Sequence, residues 1–319
     1  MNDRPSTKEE SSHTGNHIVV TGGVGFLGSY LCRALLERGD RVTAIDNLST
    51  GRRARVENLT AHPHFALRIA DVTTPGAFAD LATITHVAHL ACPGSPKATV
   101  RRPIDTLRAA STGTLAALDL AASRGARIVV ASGPDSNGDP RNTGLAGDCH
   151  VHALCARIAE VIARHYGGAD VGIVRPFEVY GPHQWPGDGR IAATICSAAL
   201  RDQTLQVIDS DVRSFVYIAD TVDALVAMLD STTTGPVDIG GPAAVTTAEF
   251  AHTATALAGS GWVEVAPADL IVPTAHSPNL DRTHAVLGWR PSTPLDNGLR
   301  HTLDWMRTIL PPYPPWDRG

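Results

Sequence analysis

Three glycines, each three residues after the last, stand between a run of apolar residues and an amphipathic stretch. They are Gly22, Gly25 and Gly28 in Thr21-Gly-Gly-Val-Gly-Phe-Leu-Gly28. Glycine permits a tight turn, lets the backbone approach a pyrophosphate and lets a helix pack closely on a strand. The free amides and positive dipole end of the following helix would then face the phosphates. The spacing therefore predicts a turn that binds the pyrophosphate of a dinucleotide.

An acidic residue ends the next apolar run, about twenty residues further along the chain, as ribose recognition requires. Asp46 would accept a hydrogen bond from a ribose 2′-hydroxyl and repel a 2′-phosphate, which favours NAD over NADP. Arg52 and Arg53 lie nearby and soften that preference. Asp71 and Val72 follow the third run, where they would meet the adenine; an ordinary strand-end turn is the alternative. The predicted cofactor contacts are Gly22, Gly25, Phe26, Leu27, Gly28, Asp46, Asn47, Asp71, Val72, Leu90 and Ala91.

These residues need a scaffold, and the hydrophobic pattern supplies one. From residue 17 onward, short apolar runs alternate with stretches of helical spacing. The predicted strands are 17–21, 41–45, 65–70, 86–90, 127–131 and 170–174, and the predicted helices include 26–38, 103–124 and 150–166. Such alternation predicts a parallel sheet covered on both faces, and right-handed crossovers make it a doubly wound α/β (Rossmann) fold.

The chain is predicted to contain one domain, one smaller lobe and two terminal tails. Residues 17–176 would form the NAD-binding Rossmann domain. Residues 177–310 would form mostly a smaller C-terminal substrate-binding lobe, with about 215–241 returning to the Rossmann sheet. The polar stretch 1–16 is expected to be a disordered tail, and the Pro-rich stretch 311–319 is expected to lie along the surface.

Composition excludes some classes of partner. The net charge of −5 and the pI of about 6.3 argue against non-specific electrostatic binding to nucleic acid or anionic lipid. No apolar run reaches the roughly 18 residues of a membrane span. The five cysteines are odd in number and irregularly spaced, which fits reduced thiols and a cytoplasmic location.

Several segments together resemble one known family. The chain is similar to UDP-glucuronate decarboxylases (UDP-xylose synthases), which belong to the extended short-chain dehydrogenase/reductase superfamily of NAD-dependent epimerases and dehydratases. Besides the glycine turn, the segments that carry the resemblance are Asp46-Asn-Leu-Ser-Thr-Gly51, Ala70-Asp-Val-Thr73, His89-Leu-Ala-Cys-Pro-Gly-Ser-Pro96, Pro103-Ile104, Arg175-Pro-Phe-Glu-Val-Tyr-Gly-Pro182, Asp188-Gly-Arg190 and Arg213-Ser-Phe215.

The resemblance implies a mechanism whose usual groups are replaced here. In the family, bound NAD oxidises the sugar C4 hydroxyl, carboxylate is lost, and the hydride returns. A Tyr acts as base, a Lys four residues later lowers its pKa, and a Ser or Thr and an Asn assist. The Tyr position aligns with His152, the Lys with Ala156, the Ser or Thr with Gly133 and the Asn with Ala110. Such groups contribute about 10²–10⁴-fold each, so ordinary C4 oxidation should be nearly abolished.

Two residues are candidates to replace this set. An imidazole at position 152 could take a proton directly or through water, since its unperturbed pKa is about 6.5; a His left in a decayed site is the alternative. By the resemblance, Asp135 takes the place of a Glu that supports decarboxylation. A loop carboxylate without such a role is the other interpretation.

The resemblance also suggests contacts with the substrate. Arg190 matches an Arg near the sugar and phosphates, and Arg213 matches one that holds the nucleotide part. Glu178 replaces an Asn near the nucleotide sugar, and its carboxylate would repel a glucuronate or diphosphate unless paired. Cys92 lies in the loop after the fourth strand, facing the cleft. The predicted substrate contacts are Cys92, Glu178, Arg190 and Arg213.

Cysteine and histidine near the start of the 150–166 helix raise two further hypotheses. Cys149, His150, His152 and Cys155 have the softness and short spacing of zinc ligands, but they open a helix and cannot easily converge on one point. Small apolar thiols and exposed imidazoles are the preferred interpretation, so no metal site is predicted. A nucleophilic role for Cys92 would need a base partner that the sequence does not identify.

Three functions remain open from the sequence. The first is an NAD-dependent enzyme acting on a nucleotide sugar or related small molecule with non-standard catalytic residues. The second is a non-catalytic subunit that binds NAD or a nucleotide sugar. The third is a dehydrogenase that uses His152 as base on a different alcohol. The resemblance also implies a homodimer.

Overall fold

The structure, a computed structural model, describes residues 15–134, 150–208, 211–266 and 277–310. Most of the predicted tail 1–16 and all of 311–319 lie outside these ranges. The strands are β1 (His17–Thr21), β2 (Arg41–Asp46), β3 (Phe65–Ile69), β4 (His86–His89), β5 (Arg127–Ala131), β6 (Asp170–Pro176), β7 (Glu178–Tyr180), β8 (Thr204–Ile208), β9 (Val212–Tyr217), β10 (Gly235–Ile239), β11 (Ala244–Thr246) and β12 (Trp262–Ala266). The helices are α1 (Phe26–Glu37), α2 (Pro96–Arg101), α3 (Pro103–Arg108), α4 (Thr114–Arg124), α5 (His150–His165), α6 (Ile191–Leu200), α7 (Ile218–Asp230), α8 (Thr247–Ala258), α9 (Leu280–Leu287) and α10 (Leu295–Ile309).

Seven strands form one parallel sheet in the order β10-β6-β5-β4-β1-β2-β3. The chain builds outward from β1 through β2 to β3, then returns to the other side of β1 with β4. Strand order therefore reverses between β1 and β4, and ligands of open α/β sheets bind at the carboxyl ends of strands at such a point. The predicted doubly wound Rossmann class is confirmed.

Helices cover both faces of this sheet, as its strands require. Residues of β1 and β5 are almost fully buried, so their side chains need apolar cover above and below. On one face the cover comes from α1 and α7, through residues such as Leu35 and Leu225. On the other it comes from α4 and α5, through Leu118 and Ala159. Each such fully buried Leu contributes roughly 1.5–3 kcal/mol to folding.

A second layer of structure stands beyond the carboxyl ends of the strands. It contains a three-stranded sheet, β11-β9-β7, and a parallel pair, β12-β8. Helices α6, α8 and α10 pack on them around their own apolar core, which includes Phe215, Phe250 and Leu303. The capping box of Thr246 and Glu249 fixes the start of α8. This layer forms the outer wall of the cleft described below.

The predicted helix 103–124 is not one regular helix. It is divided into α3 and α4 by a π-helical turn, Ala109–Gly113. The amphipathic period continues through the turn, so the pattern did not reveal it. Gly113 lies against Val72 there, where a Cβ would come within 2.8 Å of the Val72 side chain. The short helix α2 was also not predicted. None of the described helices is long and apolar enough to cross a bilayer.

Candidate functional site

A cleft of about 1320 Å³ opens at the carboxyl ends of the strands, where the strand order reverses. Its walls come from the glycine turn after β1, the loop after β4, helix α5 and the residues after β6. Pockets for one small molecule commonly measure about 300–1,000 Å³. The cleft is therefore large enough for two ligands side by side.

The glycine turn at one end of the cleft is shaped by backbone contacts. The Gly22 amide donates to the Ile45 carbonyl at 2.8 Å, and Gly22 has a φ of +71°, a conformation that favours glycine. A Cβ on Gly22 would lie 2.8 Å from the Leu90 carbonyl oxygen, and one on Gly28 would overlap the Gly22 carbonyl oxygen. Only glycine fits either place, because the backbone has no room to move away.

Helix α1 begins in this turn without a side-chain cap. Its N-cap residue is Gly25, which has no side chain with which to cap the first-turn amides. Those amides, beginning with Phe26 and Leu27, face the cleft with the positive end of the helix dipole. Free helix N-terminal amides next to a turn without side chains can donate hydrogen bonds to a pyrophosphate. The residues present therefore fit an NAD molecule.

A buried polar network supports the turn from below. The Thr21 hydroxyl hydrogen-bonds His89 Nδ1 at 2.9 Å and accepts from the Leu90 amide at 3.2 Å. His89 Nε2 meets the Thr114 hydroxyl at 3.2 Å. Burial lowers the pKa of His89 to about 4, so the imidazole is neutral at pH 7. The network holds the loops after β1 and β4 against each other.

The predicted ribose and adenine contacts lie beside the cleft rather than on its lining. Asp46 ends β2, where its carboxylate accepts from the amides of Val24 (3.2 Å) and Leu48 (2.8 Å). Burial raises the pKa of Asp46 above its ordinary value, and these two hydrogen bonds oppose that rise. A Cβ on Gly51, which does line the cleft, would lie 2.8 Å from Asp46 Oδ1. The carboxylate therefore adjoins the cofactor end of the cleft.

Asn47 and Asp71 form a polar pair next to Asp46. The Asn47 amide donates to Asp71 at 2.7 Å, and Thr73 donates to Asp71 from both its backbone and its hydroxyl. Although burial acts to raise the pKa of Asp71, the hydrogen bonds from Thr73 and Asn47 hold it below its ordinary value. Val72 is buried. The remaining predicted cofactor contacts all line the cleft: Gly22, Gly25, Phe26, Leu27, Gly28, Leu90 and Ala91.

The four positions at which the resemblance predicts acid–base groups converge at the other end of the cleft. His152, Ala156, Gly133 and Ala110 all line the cleft. A Cβ on Gly133 would lie 3.5 Å from the Ala156 Cβ, an ordinary van der Waals contact. Ala110 lies in the π-helical turn and is buried. Three of the four side chains here carry no acid or base.

His152 and Arg190 both approach Gly94 in the loop after β4. Arg190 Nη2 donates to the Gly94 carbonyl at 2.7 Å, and its backbone amide donates to Asp188 at 2.9 Å. A Cβ on Gly94 would lie 2.8 Å from Arg190 Nη2 and 4.0 Å from His152 Nε2. The missing side chain of Gly94 thus leaves room in the cleft that both the imidazole and the guanidinium border.

Cys92 and Cys155 also line this end of the cleft. Their thiols are hydrogen-bonded, and that bond raises the pKa of Cys92 while lowering the pKa of Cys155. Among the described residues no three His, Cys, Asp or Glu side chains cluster as metal ligands. Cys149 and the side chain of His150 lie outside the described residues.

Arg213 and Glu178, two of the predicted substrate contacts, bind each other. Arg213 Nη1 is 2.5 Å from Glu178 Oε1, and its Nε is 2.8 Å from Asp211 Oδ2. All three side chains line the cleft and are about one-third exposed. Burial acts to lower the pKa of Arg213, but the two carboxylates raise it above its ordinary value. The predicted repulsion by an unpaired Glu178 is therefore absent.

A buried ion pair holds helix α5 in place behind the site. The Glu160 carboxylate accepts from Arg175 Nε at 2.8 Å and from Arg175 Nη2 at 2.5 Å. The Ser132 hydroxyl donates to the same carboxylate at 2.9 Å. Glu160 and Arg175 are both buried, so each charge depends on the other. The pair joins α5 to the carboxyl ends of β5 and β6.

Some cleft residues were not predicted, and one predicted residue lies outside the described ranges. Asp135 is that residue. Asp211 was missed, although its place two residues before Arg213 on an extended segment puts both side chains on one face. Arg52 was considered only for cofactor preference, yet its guanidinium stacks on Trp185 at 3.5 Å from the ring centre. No sequence signal joins those two, because they come from distant loops. Lys97, whose stem lies against Gly189, was also missed.

The fold and the site together define a dinucleotide-binding α/β protein with a second ligand space beside the cofactor end. Comparison with known proteins makes this more specific. A model of the NAD dependent epimerase/dehydratase family matches residues 18–240. The chain belongs to that family, and the predicted NAD cofactor is confirmed with it.

Curated relatives and solved structures agree with this membership. The chain is 33% identical to UDP-glucuronic acid decarboxylase 1 of Xenopus tropicalis, over 96% of this chain and 76% of that protein. It is 33% identical to UDP-glucuronic acid decarboxylase 3 of Arabidopsis thaliana, over 88% of this chain and 86% of that protein. A solved UDP-glucose 4-epimerase of Thermus thermophilus in complex with NAD is 26% identical, with a TM-score of 0.73, and covers 92% of this chain and 100% of that one. The predicted resemblance to the decarboxylases is confirmed.

Proposed function

We propose that this protein is an NAD-dependent enzyme that acts on a nucleotide sugar or a related small molecule, with acid–base groups unlike those of its relatives. The observation that carries the proposal is one continuous cleft. The glycine turn lines one end, and His152 and Arg190 line the other. The similar proteins are UDP-glucuronic acid decarboxylases and a UDP-glucose 4-epimerase, which supports a nucleotide sugar as ligand. Residues 17–176 would bind NAD, and 177–310 would contribute most of the substrate site.

NAD supplies the hydride acceptor and donor, and the chain must supply the rest. A hydroxyl that loses hydride must also lose its proton to a base. His152 is the titratable group at the Tyr position, and an imidazole exchanges protons near neutral pH. Arg190, which lies beside it, would hold an anionic group of the substrate through charge-assisted hydrogen bonds. Asp135, which lies outside the described residues, stays a second candidate for proton transfer.

The first experiment asks whether hydride chemistry survives. The purified protein, with its bound NAD, is mixed with UDP-glucuronate while absorbance is followed at 340 nm. We expect transient formation of NADH in the wild type and its loss in His152→Ala. His165→Ala is the matched control, because His165 is exposed in the last turn of the same helix. Equal signals in the two variants would remove His152 from the mechanism.

A non-catalytic binder is the second candidate, and the vacant acid–base positions favour it. Ala110, Gly133 and Ala156 can neither donate nor accept the substrate's proton. Under this alternative the protein binds NAD and a nucleotide sugar, gives no 340 nm signal, and keeps its cellular function in the His152→Ala variant. A third candidate, a dehydrogenase of another alcohol with His152 as base, predicts a signal with an alcohol and none with UDP-sugars.

A repair experiment asks whether the pocket still suits the relatives' substrate. The variant carries Gly133→Thr, His152→Tyr and Ala156→Lys. A side chain at position 133 has room, because its Cβ would meet Ala156 only at ordinary contact distance. We expect decarboxylation of UDP-glucuronate to rise by about 10²-fold or more if the pocket is preserved. A rise in NADH formation without release of carbon dioxide would show that the repaired site oxidises UDP-glucuronate but does not support its decarboxylation.

The resemblance also implies a homodimer, which we keep as part of the proposal. Leu115 on α4 and Leu154 and Val161 on α5 are each more than 40% exposed. Exposed apolar side chains on two adjacent helices suit a second copy of the same face. Light scattering of the purified protein should give twice the 33.6 kDa mass of the chain. A Leu154→Glu variant should give the monomer mass.

A further inference from the structure

The cleft carries positive charge in a chain whose net charge is negative. Among the residues that the structure describes, seven of the side chains that line it are Lys or Arg, and three are Asp or Glu. The whole chain has a formal charge of −5. An electropositive cleft attracts anionic ligands. Its three carboxylates are not spread evenly, however, since two of them, Glu178 and Asp211, contact the single arginine Arg213.

The contacts of Arg213 occupy two sides of its guanidinium. Its Nη1 donates to Glu178 and its Nε donates to Asp211. Asp211 is itself fixed, because the Thr247 amide donates to its carbonyl at 2.9 Å, and the Thr247 hydroxyl lies 3.1 Å from its carboxylate and 3.0 Å from that carbonyl. Glu178 lies at the start of β7, which pairs with β9, the strand that carries Arg213. Both carboxylates are thus held by backbone next to the guanidinium.

This arrangement changes what Arg213 can bind. An arginine with free donors attracts phosphate, and a fork of two parallel N–H groups suits it well. Here one positive charge faces two negative charges, so the group is negative as a whole. A phosphate approaching it would meet two carboxylates and would have to displace at least one of them. Like charges placed together in a partly buried site oppose binding.

We infer that Glu178 is a specificity-determining residue, which occupies the guanidinium of Arg213 in the place of a ligand phosphate. The native cleft therefore accepts, next to Arg213, the neutral or cationic part of a ligand, such as one presenting hydroxyl or amino groups. Phosphate charge is instead met elsewhere in the cleft, by Lys97 and by Arg190. Arg190 contacts Asp188 at 3.7 Å, a looser contact than either carboxylate makes with Arg213. This inference rests on the proposed function, because it refines which nucleotide sugars the same cleft takes.

The sign of one mutational effect tests the inference. UDP and uridine are titrated separately into the NAD-loaded protein by calorimetry, for the wild type and for Glu178→Gln. Glu37→Gln, an exposed change of equal charge at the end of α1, is the matched control. We expect Glu178→Gln to bind UDP about tenfold more tightly. Uridine, which carries no phosphate, should bind all three proteins alike.

Other outcomes overturn the inference in separable ways. If Glu178 only positions Arg213 for a phosphate, then Glu178→Gln will bind UDP more weakly. If UDP affinity does not change, the carboxylate does not compete, and the inference fails while the proposed function stands. If neither the wild type nor Glu178→Gln binds UDP, both fail. Glu178→Asn should match Glu178→Gln, and thermal melts of each variant establish that it is folded.

Discussion

The two ends of the cleft are built in different ways. At the cofactor end, the glycine turn and the start of α1 present backbone groups whose positions follow from adjacent strands. The substrate end is instead lined by side chains from distant elements. They are His152, Arg190 and Arg213 with its partner Glu178. Backbone sites tolerate little change in sequence, whereas side-chain sites change with single substitutions. The cofactor end carries the glycine turn that the sequence predicted, whereas Ala110, Gly133 and Ala156 at the substrate end offer no acid or base.

The largest expected effect concerns the support behind the substrate end. Arg175→Met leaves Glu160 charged, buried and without its main partner, which should lower the free energy of unfolding by about 3–5 kcal/mol. Arg164→Met removes the exposed partner of the same carboxylate and should cost less than about 1 kcal/mol. Urea unfolding measures both. Similar losses in the two variants would mean that burial does not decide the strength of this network.

The support beneath the cofactor end should respond to pH instead. The folded-state pKa of His89, about 4, lies below its unfolded value of about 6.5. The unfolded state therefore binds a proton that the folded state excludes, and stability falls as the pH drops from 6.5 towards 4. The loss should be on the order of 3 kcal/mol by pH 4. In urea unfolding across this pH range, the free energy of unfolding of His89→Gln should depend less steeply on pH than that of the wild type. An equal slope in the two proteins would contradict a lowered pKa for His89.

The glycine turn itself should be sensitive to a single added methyl group. In Gly28→Ala the new Cβ overlaps the Gly22 carbonyl oxygen, so the turn and the first amides of α1 must shift. We expect NAD affinity to fall at least about a hundredfold by calorimetry. Gly167→Ala is the control, because a Cβ there meets nothing within 4 Å. Normal NAD affinity in Gly28→Ala would show that the turn does not hold the pyrophosphate.

The smallest effect is expected where the two ends join across the cleft. Arg52 stacks on Trp185, and its amide also donates to the Val24 carbonyl in the glycine turn. A cation–π contact at an exposed site is worth about 0.5–1 kcal/mol. Trp185→Ala should therefore raise the dissociation rate of NAD about two- to fivefold in stopped-flow measurements. Trp262→Ala, at a residue that is 72% exposed on β12, should leave that rate unchanged.

Most of the scaffold could be predicted because it depends on local patterns. Burial on both faces makes parallel strands read as apolar runs, and each such run from residue 17 to 174 became a strand of the central sheet. The π-helical turn at Ala109–Gly113 could not be predicted, because it arises where Gly113 packs on Val72. The lobe was predicted least well, because β7 and β11 have only three residues each and β12 is largely exposed, so these strands form no clear apolar run.

By itself, the sequence determined the glycine turn, the acid at the end of β2 and the residue types Ala110, Gly133 and Ala156, which carry no acid or base. Each of these depends on residue type at a fixed spacing, and a strand followed by a helix converts that spacing directly into position. Only the tertiary structure decided which charges meet: Glu178 with Arg213, Arg190 with Gly94 beside His152, and Arg52 with Trp185. Such pairs join residues tens to more than a hundred positions apart. Their geometry depends on how whole elements pack, which no local pattern records.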